Sequence, residues 1–146
     1  MTQTITHRSS DSRVQALARW LAARFDATSD VDVTLLNAPD ANGFSNVTLL
    51  FDARWVDRDG QHDHRFVARV QPTGDGLFPT YDVGRQFNVM HALEMSAVPV
   101  PKVRWLDSDS SIFGAPFFVM DYVDGHIPSD DPSFAAAGWI LGLSPQ

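Results

Sequence analysis

The segment from residue 47 to residue 56 alternates apolar and polar side chains, and this alternation constrains the fold more than any other feature of the chain. One face would carry Val47, Leu49, Phe51, Ala53 and Trp55, and the other Thr48, Leu50, Asp52 and Arg54. A period of two is typical of a half-buried strand. The Asp57-Arg58-Asp59-Gly60 turn has the Asp-Gly ending of a hairpin, and residues 65–70 form the return strand. The sequence therefore predicts an antiparallel strand pair.

Two helices and three further strands are predicted around this hairpin. Residues 12–25 place Val14, Leu17, Leu21 and Phe25 on one stripe, with Ser10 or Asp11 as the cap. A second helix is predicted from about residue 82 to residue 95, with Asp82 at its start, and it ends before the Val98-Pro99-Val100-Pro101 run. The remaining predictions are strands at 33–36, 103–106 and 116–123, a turn at 37–43 and a loop at 72–79. The expected class is α+β, with a five-stranded antiparallel sheet and one helix between the third and fourth strands.

Composition excludes several functional classes. A formal charge of -7 disfavours nucleic-acid binding, which rewards clustered Lys and Arg. The longest apolar stretches, such as residues 117–120, are far shorter than a membrane span, and the polar start has no secretory core, so no membrane partner and a cytoplasmic location are expected. The absence of cysteine rules out disulfides, thiolate catalysis and Cys-based zinc sites. With a single Lys and a single Glu, mechanisms that need a Lys–Glu pair have almost no candidates.

Five short motifs occur along the chain in a defined order. They are Gly43-Phe44-Ser45-Asn46-Val47-Thr48, Phe66-Val67-Ala68-Arg69, Arg85-Gln86-Phe87-Asn88-Val89-Met90, the Val-Pro repeat at 98–101, and the run from Gly114 to Gly125. In this order and spacing they resemble the N-terminal lobe of the kinase-like fold. The resemblance is to its aminoglycoside-phosphotransferase-like branch of small-molecule kinases, and it covers most of residues 33–143.

The resemblance implies a nucleotide-binding role for two of these motifs. Gly43, Phe44, Ser45 and Asn46 correspond to the loop that covers nucleotide phosphates, although from the residues alone they are an ordinary Asn-Gly turn. Arg69 stands where kinases place the phosphate-binding lysine of the third strand. Alternation puts Val67 on the same face, so an apolar contact for a base would lie beside a cation for phosphates. Without the resemblance, Arg69 is a solvated strand arginine.

The helix and the last strand supply the other implied site residues. Gln86 stands where the kinase ion pair has its acid, and a neutral amide is a departure from that pattern; Asp82, one turn earlier, is the alternative partner of Arg69. Residues 118–123 resemble the hinge between the two lobes. There the resemblance implies that two backbone groups, the Asp121 carbonyl and the Val123 N–H, form hydrogen bonds with the nucleotide base, with Met120 beside the pocket. A buried core strand explains the same apolar residues.

Other candidate sites are weaker. The His62-Asp63-His64 triplet lies beside a hairpin turn without a third remote ligand, which favours a solvated loop over a metal site. The remaining turn aspartates are interpreted as turn formers, and no Walker, dinucleotide or Gly-x-Ser-x-Gly fingerprint occurs.

Phosphoryl transfer also needs a catalytic-loop Asp and a magnesium-binding acid, which this family carries in its C-terminal lobe. We find neither in the sequence. The expectation is therefore a nucleotide-binding half of a small-molecule kinase using ATP or GTP with Mg²⁺, with no catalytic residues and no metal ligands of its own. The domain plan is a leader with a helix (1–30), the kinase-like N-lobe (31–125), and a linker with an incomplete second lobe (126–146). Its expected partners are the nucleotide and a missing C-terminal lobe, and exposed apolar surface would favour self-association. The alternatives are a non-catalytic binding module and a truncated gene product without function.

Overall fold

A computed structural model of the chain describes residues 7–8, 12–37, 47–73, 81–126, 133, 135–136 and 138–143. Their elements, in chain order, are β1 (His7–Arg8), α1 (Ser12–Ala22), β2 (Asp32–Asn37), β3 (Val47–Asp57), β4 (Gly60–Val70), α2 (Val83–Leu93), β5 (Val103–Asp107), β6 (Phe117–Asp121) and a 3-10 helix (Trp139–Gly142). The strands form one sheet in the order β1-β2-β3-β4-β6-β5, and every neighbouring pair is antiparallel.

The central hairpin joins β3 and β4 in one unbroken register, from the Val47–Val70 pair to the Asp57–Gly60 pair. Gly60 has φ +127°, a backbone conformation that a side chain would strain, which explains a glycine at this turn. The predicted start of the return strand at residue 65 is wrong, because β4 begins at Gly60. Residues 61–64 are polar on both faces, but backbone pairing does not require apolar side chains.

One face of the sheet, which we call the α1 face, packs against α1. Val14, Leu17 and Leu21 of the helix are buried, as the stripe predicted. They share a core with Phe51, Ala53, Trp55, Phe66, Ala68, Val70, Phe117 and Val119 of the sheet. The Trp20 indole N–H donates to the Asp107 carboxylate, and the Arg24 guanidinium lies 3.5 Å above the Trp20 ring. Helix α1 is thus anchored to the end of β5 by a polar contact as well as to the sheet by its apolar stripe.

The opposite face, which we call the α2 face, packs against α2 through a smaller core of Val83, Val103 and Phe118. Asp82 caps the helix, and its carboxylate accepts a hydrogen bond of 2.9 Å from the Arg85 N–H. At the other end, the Glu94 carboxylate accepts a hydrogen bond of 2.7 Å from the Val103 N–H. The Asp82 carboxylate thus caps the start of α2, and the Glu94 carboxylate ties the end of the helix to β5.

The predicted fold class is confirmed: all five predicted strands are present, and α2 lies between the third and fourth of them. The short strand β1 at the sheet edge is an addition that the sequence did not indicate. The first helix ends at Ala22 rather than at residue 25, and the last strand spans five residues rather than eight. The predicted cap at residues 10–11 lies outside the described residues, as do most of the predicted turn at 37–43 and of the loop at 72–79. None of the described helices is long and apolar enough to cross a membrane.

Candidate functional site

The α2 face brings together two of the predicted site residues on β4. Phe66, Ala68 and Val70 are buried on the α1 face, so the intervening Val67 and Arg69 lie on the α2 face, where both are half-buried. Across the ladder to β6, Val67 is opposite Met120 and Arg69 is opposite Phe118. An apolar strip and a cation therefore lie side by side at the centre of the sheet.

Arg69 is withdrawn from water by its neighbours. Burial lowers the pKa of Arg69 from its ordinary value, and its Nε atom is inaccessible to solvent. A guanidinium in such a position has lost part of its hydration, so a bound anion would gain more there than at an exposed arginine. The position suits the binding of an anionic group, and the assignment of phosphate to it stays a prediction.

Gln86 lies on the side of α2 that faces the sheet. Val83, Gln86, Phe87 and Met90 follow the spacing of one helix stripe, in which Val83 is buried and Phe87 and Met90 pack on the small core. The Phe87 ring meets the Phe118 ring edge to face with centroids 6.0 Å apart, and Phe118 is the cross-strand partner of Arg69. Asp82, the alternative candidate, is exposed and engaged as the helix cap. Gln86 thus lies on the sheet-facing side of α2, whereas the Asp82 carboxylate is engaged in capping the helix, and the pairing of either residue with Arg69 stays a prediction.

The predicted hinge at residues 118–123 begins within β6 and continues past its end. The Asp121 N–H donates to the Lys102 carbonyl at 2.9 Å, and the Tyr122 N–H donates to the Arg65 carbonyl at 3.2 Å. Val123 lies past these bonds with 63% of its surface exposed, and its N–H makes no backbone hydrogen bond to any described residue. Met120 is half-buried and packs against the small core. The backbone at 121–123 therefore leaves the sheet beside the strip formed by Val67 and Met120.

The sequence did not indicate a role for Arg104, which lies on β5 beside the predicted hinge. The Arg104 guanidinium on β5 holds the Asp121 carboxylate through two hydrogen bonds of 2.6 and 2.8 Å. The only signal in the sequence is the opposite charge of two residues seventeen positions apart, and this has no meaning until the strand register is known.

The phosphate-loop prediction at Gly43, Phe44, Ser45 and Asn46 lies outside the described residues. Within the described ranges, no group of three or more His, Asp or Glu side chains is arranged to hold a metal ion. The triplet at 62–64 lies within β4, which corrects the prediction of a loop. There His62 bonds Asp57 at 2.8 Å and stacks on the Trp55 ring.

A sequence model of the Phosphotransferase enzyme family (APH) matches residues 38–142 of the chain. The match includes β3, β4, α2, β5 and β6 and thus every residue of the candidate site.

Curated relatives are similar over a shorter part of the chain. Acyl-CoA dehydrogenase family member 10 of Mus musculus is 43% identical over 84 residues, which is 58% of this chain and 7% of that protein. Acyl-CoA dehydrogenase family member 11 of Homo sapiens is 38% identical over 80 residues, which is 55% of this chain and 9% of that protein. The chain thus spans less than a tenth of the length of either relative.

Among solved structures, a Ralstonia eutropha protein named "putative aminoglycoside phosphotransferase" is similar with a TM-score of 0.47 and 26% identity. The similarity covers 79% of this chain and 29% of that protein.

Proposed function

Because the chain belongs to the phosphotransferase enzyme family, we propose that it forms the nucleotide-binding N-terminal half of a kinase that transfers phosphate from ATP or GTP to a hydroxyl of a small molecule. One observation carries the proposal: Arg69, a half-buried cation, lies on the same sheet face as the apolar pair formed by Val67 and Met120. A nucleotide needs such a pair of neighbouring surfaces, one for its base and one for its phosphates.

Each residue of the site has a role in this proposal. The base lies against Val67 and Met120 and bonds the Asp121 carbonyl and the Val123 N–H. Arg69 directs its planar donor fork at phosphate oxygens, and its partial burial strengthens that attraction. Gln86 supplies a neutral hydrogen-bond partner from α2, and the segment Gly43–Asn46 covers the phosphates with backbone N–H groups.

The transfer step itself needs groups that the candidate site does not provide. A carboxylate must orient the acceptor hydroxyl, and further acids must hold magnesium beside the phosphates. The sequence contains no His-x-Asp tripeptide, and among the described residues no group of three or more His, Asp or Glu side chains is arranged to hold a metal ion. We therefore propose that residues 1–146 bind nucleotide without transferring phosphate and that a C-terminal lobe completes the enzyme.

Nucleotide affinity tests this proposal. ATP and GTP are titrated into residues 1–146, into Arg69→Met, and into Arg58→Met, a control that removes the same charge from the exposed hairpin turn. A charge-assisted hydrogen bond contributes about 1.5–3 kcal/mol, so Arg69→Met should weaken binding about ten- to hundredfold while Arg58→Met leaves it unchanged. Saturable binding that is equal in all three proteins would show that Arg69 does not hold the phosphates. Absence of binding to the unmodified chain would refute the nucleotide-binding proposal and support the interpretation as a non-catalytic module.

A further inference from the structure

Arg104 occupies an irregular position in the sheet. On β5, Val103 is opposite Met120 and Trp105 is opposite Val119, so two steps along β5 correspond to one step along β6. Arg104 is the additional residue of a β-bulge. Bulges redirect the side chain of the extra residue and are frequent next to functional sites.

The redirected side chain makes an ion pair with two hydrogen bonds beside the candidate site. Arg104 Nε and Nη2 bond the two Asp121 oxygens at 2.6 and 2.8 Å, and both side chains are about 70% buried. By contrast, Arg54 reaches Asp63 through a single contact of 2.8 Å at the far end of the hairpin, with more than half of each side chain exposed. A two-bond pair with restricted solvent access fixes orientation more strongly than an exposed single contact.

Asp121 is the last residue of β6 and the first residue of the hinge segment, residues 121–123. Its backbone N–H already bonds the Lys102 carbonyl, so both its main chain and its side chain are tied to the segment that contains β5. The N–H and carbonyl of one strand residue point to the same edge, so this double attachment also fixes the direction of the Asp121 carbonyl.

We propose that Arg104 is a positioning residue that sets the hinge segment for recognition of the nucleotide base. The inference rests on the proposed nucleotide-binding function and adds a residue to it. By holding Asp121, Arg104 fixes the Asp121 carbonyl and the path of the chain to the Val123 N–H before the base arrives. The hinge backbone then loses less conformational freedom when the nucleotide binds, which raises the affinity for the base and not for the phosphates.

Because the proposed role concerns the base alone, the experiment compares a ligand that has a base with one that has only phosphates. ATP and inorganic tripolyphosphate are titrated into the ¹⁵N-labelled chain and into three variants: Arg104→Ala, Asp121→Asn and the control Arg54→Ala. Tripolyphosphate carries the charge of the nucleotide without a base. Arg104→Ala and Asp121→Asn should each lower the affinity for ATP by about fivefold or more, as expected for the loss of a charge-assisted pair. Both variants should leave the affinity for tripolyphosphate unchanged. Arg54→Ala should change neither affinity.

Asp121→Asn retains the shape of the side chain, so it carries the test if Arg104→Ala does not fold. Unchanged ATP affinity in the folded variants would overturn the role of Arg104. An equal loss for ATP and tripolyphosphate would also overturn it, because it would show a general structural effect. If the unmodified chain binds tripolyphosphate and ATP with the same affinity, the base is not recognised and the inference fails while the phosphate site stands. If it binds neither, the proposed function fails first and the inference falls with it.

Discussion

Replacing Phe118 by alanine should remove the centre of the attachment between α2 and the sheet. Phe118 belongs to β6 and is fully buried under α2, where it meets Phe87 edge to face. An aromatic side chain buries about 150–250 Å², which at about 25 cal/mol per Å² corresponds to about 4–6 kcal/mol, of which alanine keeps a part. With the cavity that remains, the expected loss in the free energy of unfolding is about 3–5 kcal/mol. This is a large share of the 5–15 kcal/mol typical of a domain.

Urea unfolding followed by tryptophan fluorescence measures this loss. Trp20, Trp55 and Trp105 belong to the core on the opposite face, so their signal reports the unfolding of the sheet and not only the release of α2. Val89→Ala is the matched control, because Val89 lies on the same helix with 53% of its surface exposed. The control should stay within about 0.5 kcal/mol of the unmodified protein. A loss below about 1 kcal/mol for Phe118→Ala would refute the assignment of Phe118 to the α2 core.

Three further outcomes are expected. Asp82→Ala should lower the free energy of unfolding by about 1 kcal/mol because α2 loses its cap, whereas Asp82→Ser should retain most of it; equal urea midpoints for both would contradict the capping role. The hydrogen bond from His62 lowers the pKa of Asp57 below its ordinary value of 3.8, so the stabilisation is complete above that pH and is lost as the pH falls through the folded-state pKa. Asp57→Asn should therefore flatten the acid side of the stability–pH curve, and an unchanged slope would count against the pair. Incubation of residues 1–146 with labelled ATP or GTP and a panel of amino alcohols and sugars should give no phosphate transfer; turnover that Arg69→Ala abolishes would show that the chain carries its own catalytic groups.

The parts of the fold that depend on local pattern were predictable from the sequence. Alternation at residues 47–56 predicted β3 and the common face of the buried Phe51, Ala53 and Trp55, and the helix stripe predicted the burial of Val14, Leu17 and Leu21. The start of β4 was placed too late because residues 61–64 are polar and carry no apolar alternation. The short strand β1 was missed because its two residues are paired with β2, and that partner cannot be inferred from their own side chains.

The candidate site was predictable in its positions but not in its environment. Alternation on β4 assigned Val67 and Arg69 to one face, opposite to the buried Phe66, Ala68 and Val70. The placing of Gln86 and the hinge next to them is what the resemblance implies, and it stays a prediction. The environment of Arg69 depends on its pairing with Phe118 of β6, which is distant in sequence. Arg104 was not identified because a bulge shifts the register of β5 by one residue, and a regular strand pairing would not have paired it with Asp121.

The most direct test of the central claim is to map ATP binding onto the backbone amides of the ¹⁵N-labelled chain by NMR. If the α2 face is the nucleotide site, saturable shifts should cluster at residues 67–69, at Gln86 and at residues 120–123. Amides of α1, on the opposite face of the sheet, should stay unchanged. Shifts centred on α1, or shifts that persist unaltered in Arg69→Met, would contradict the assignment of the α2 face to nucleotide binding.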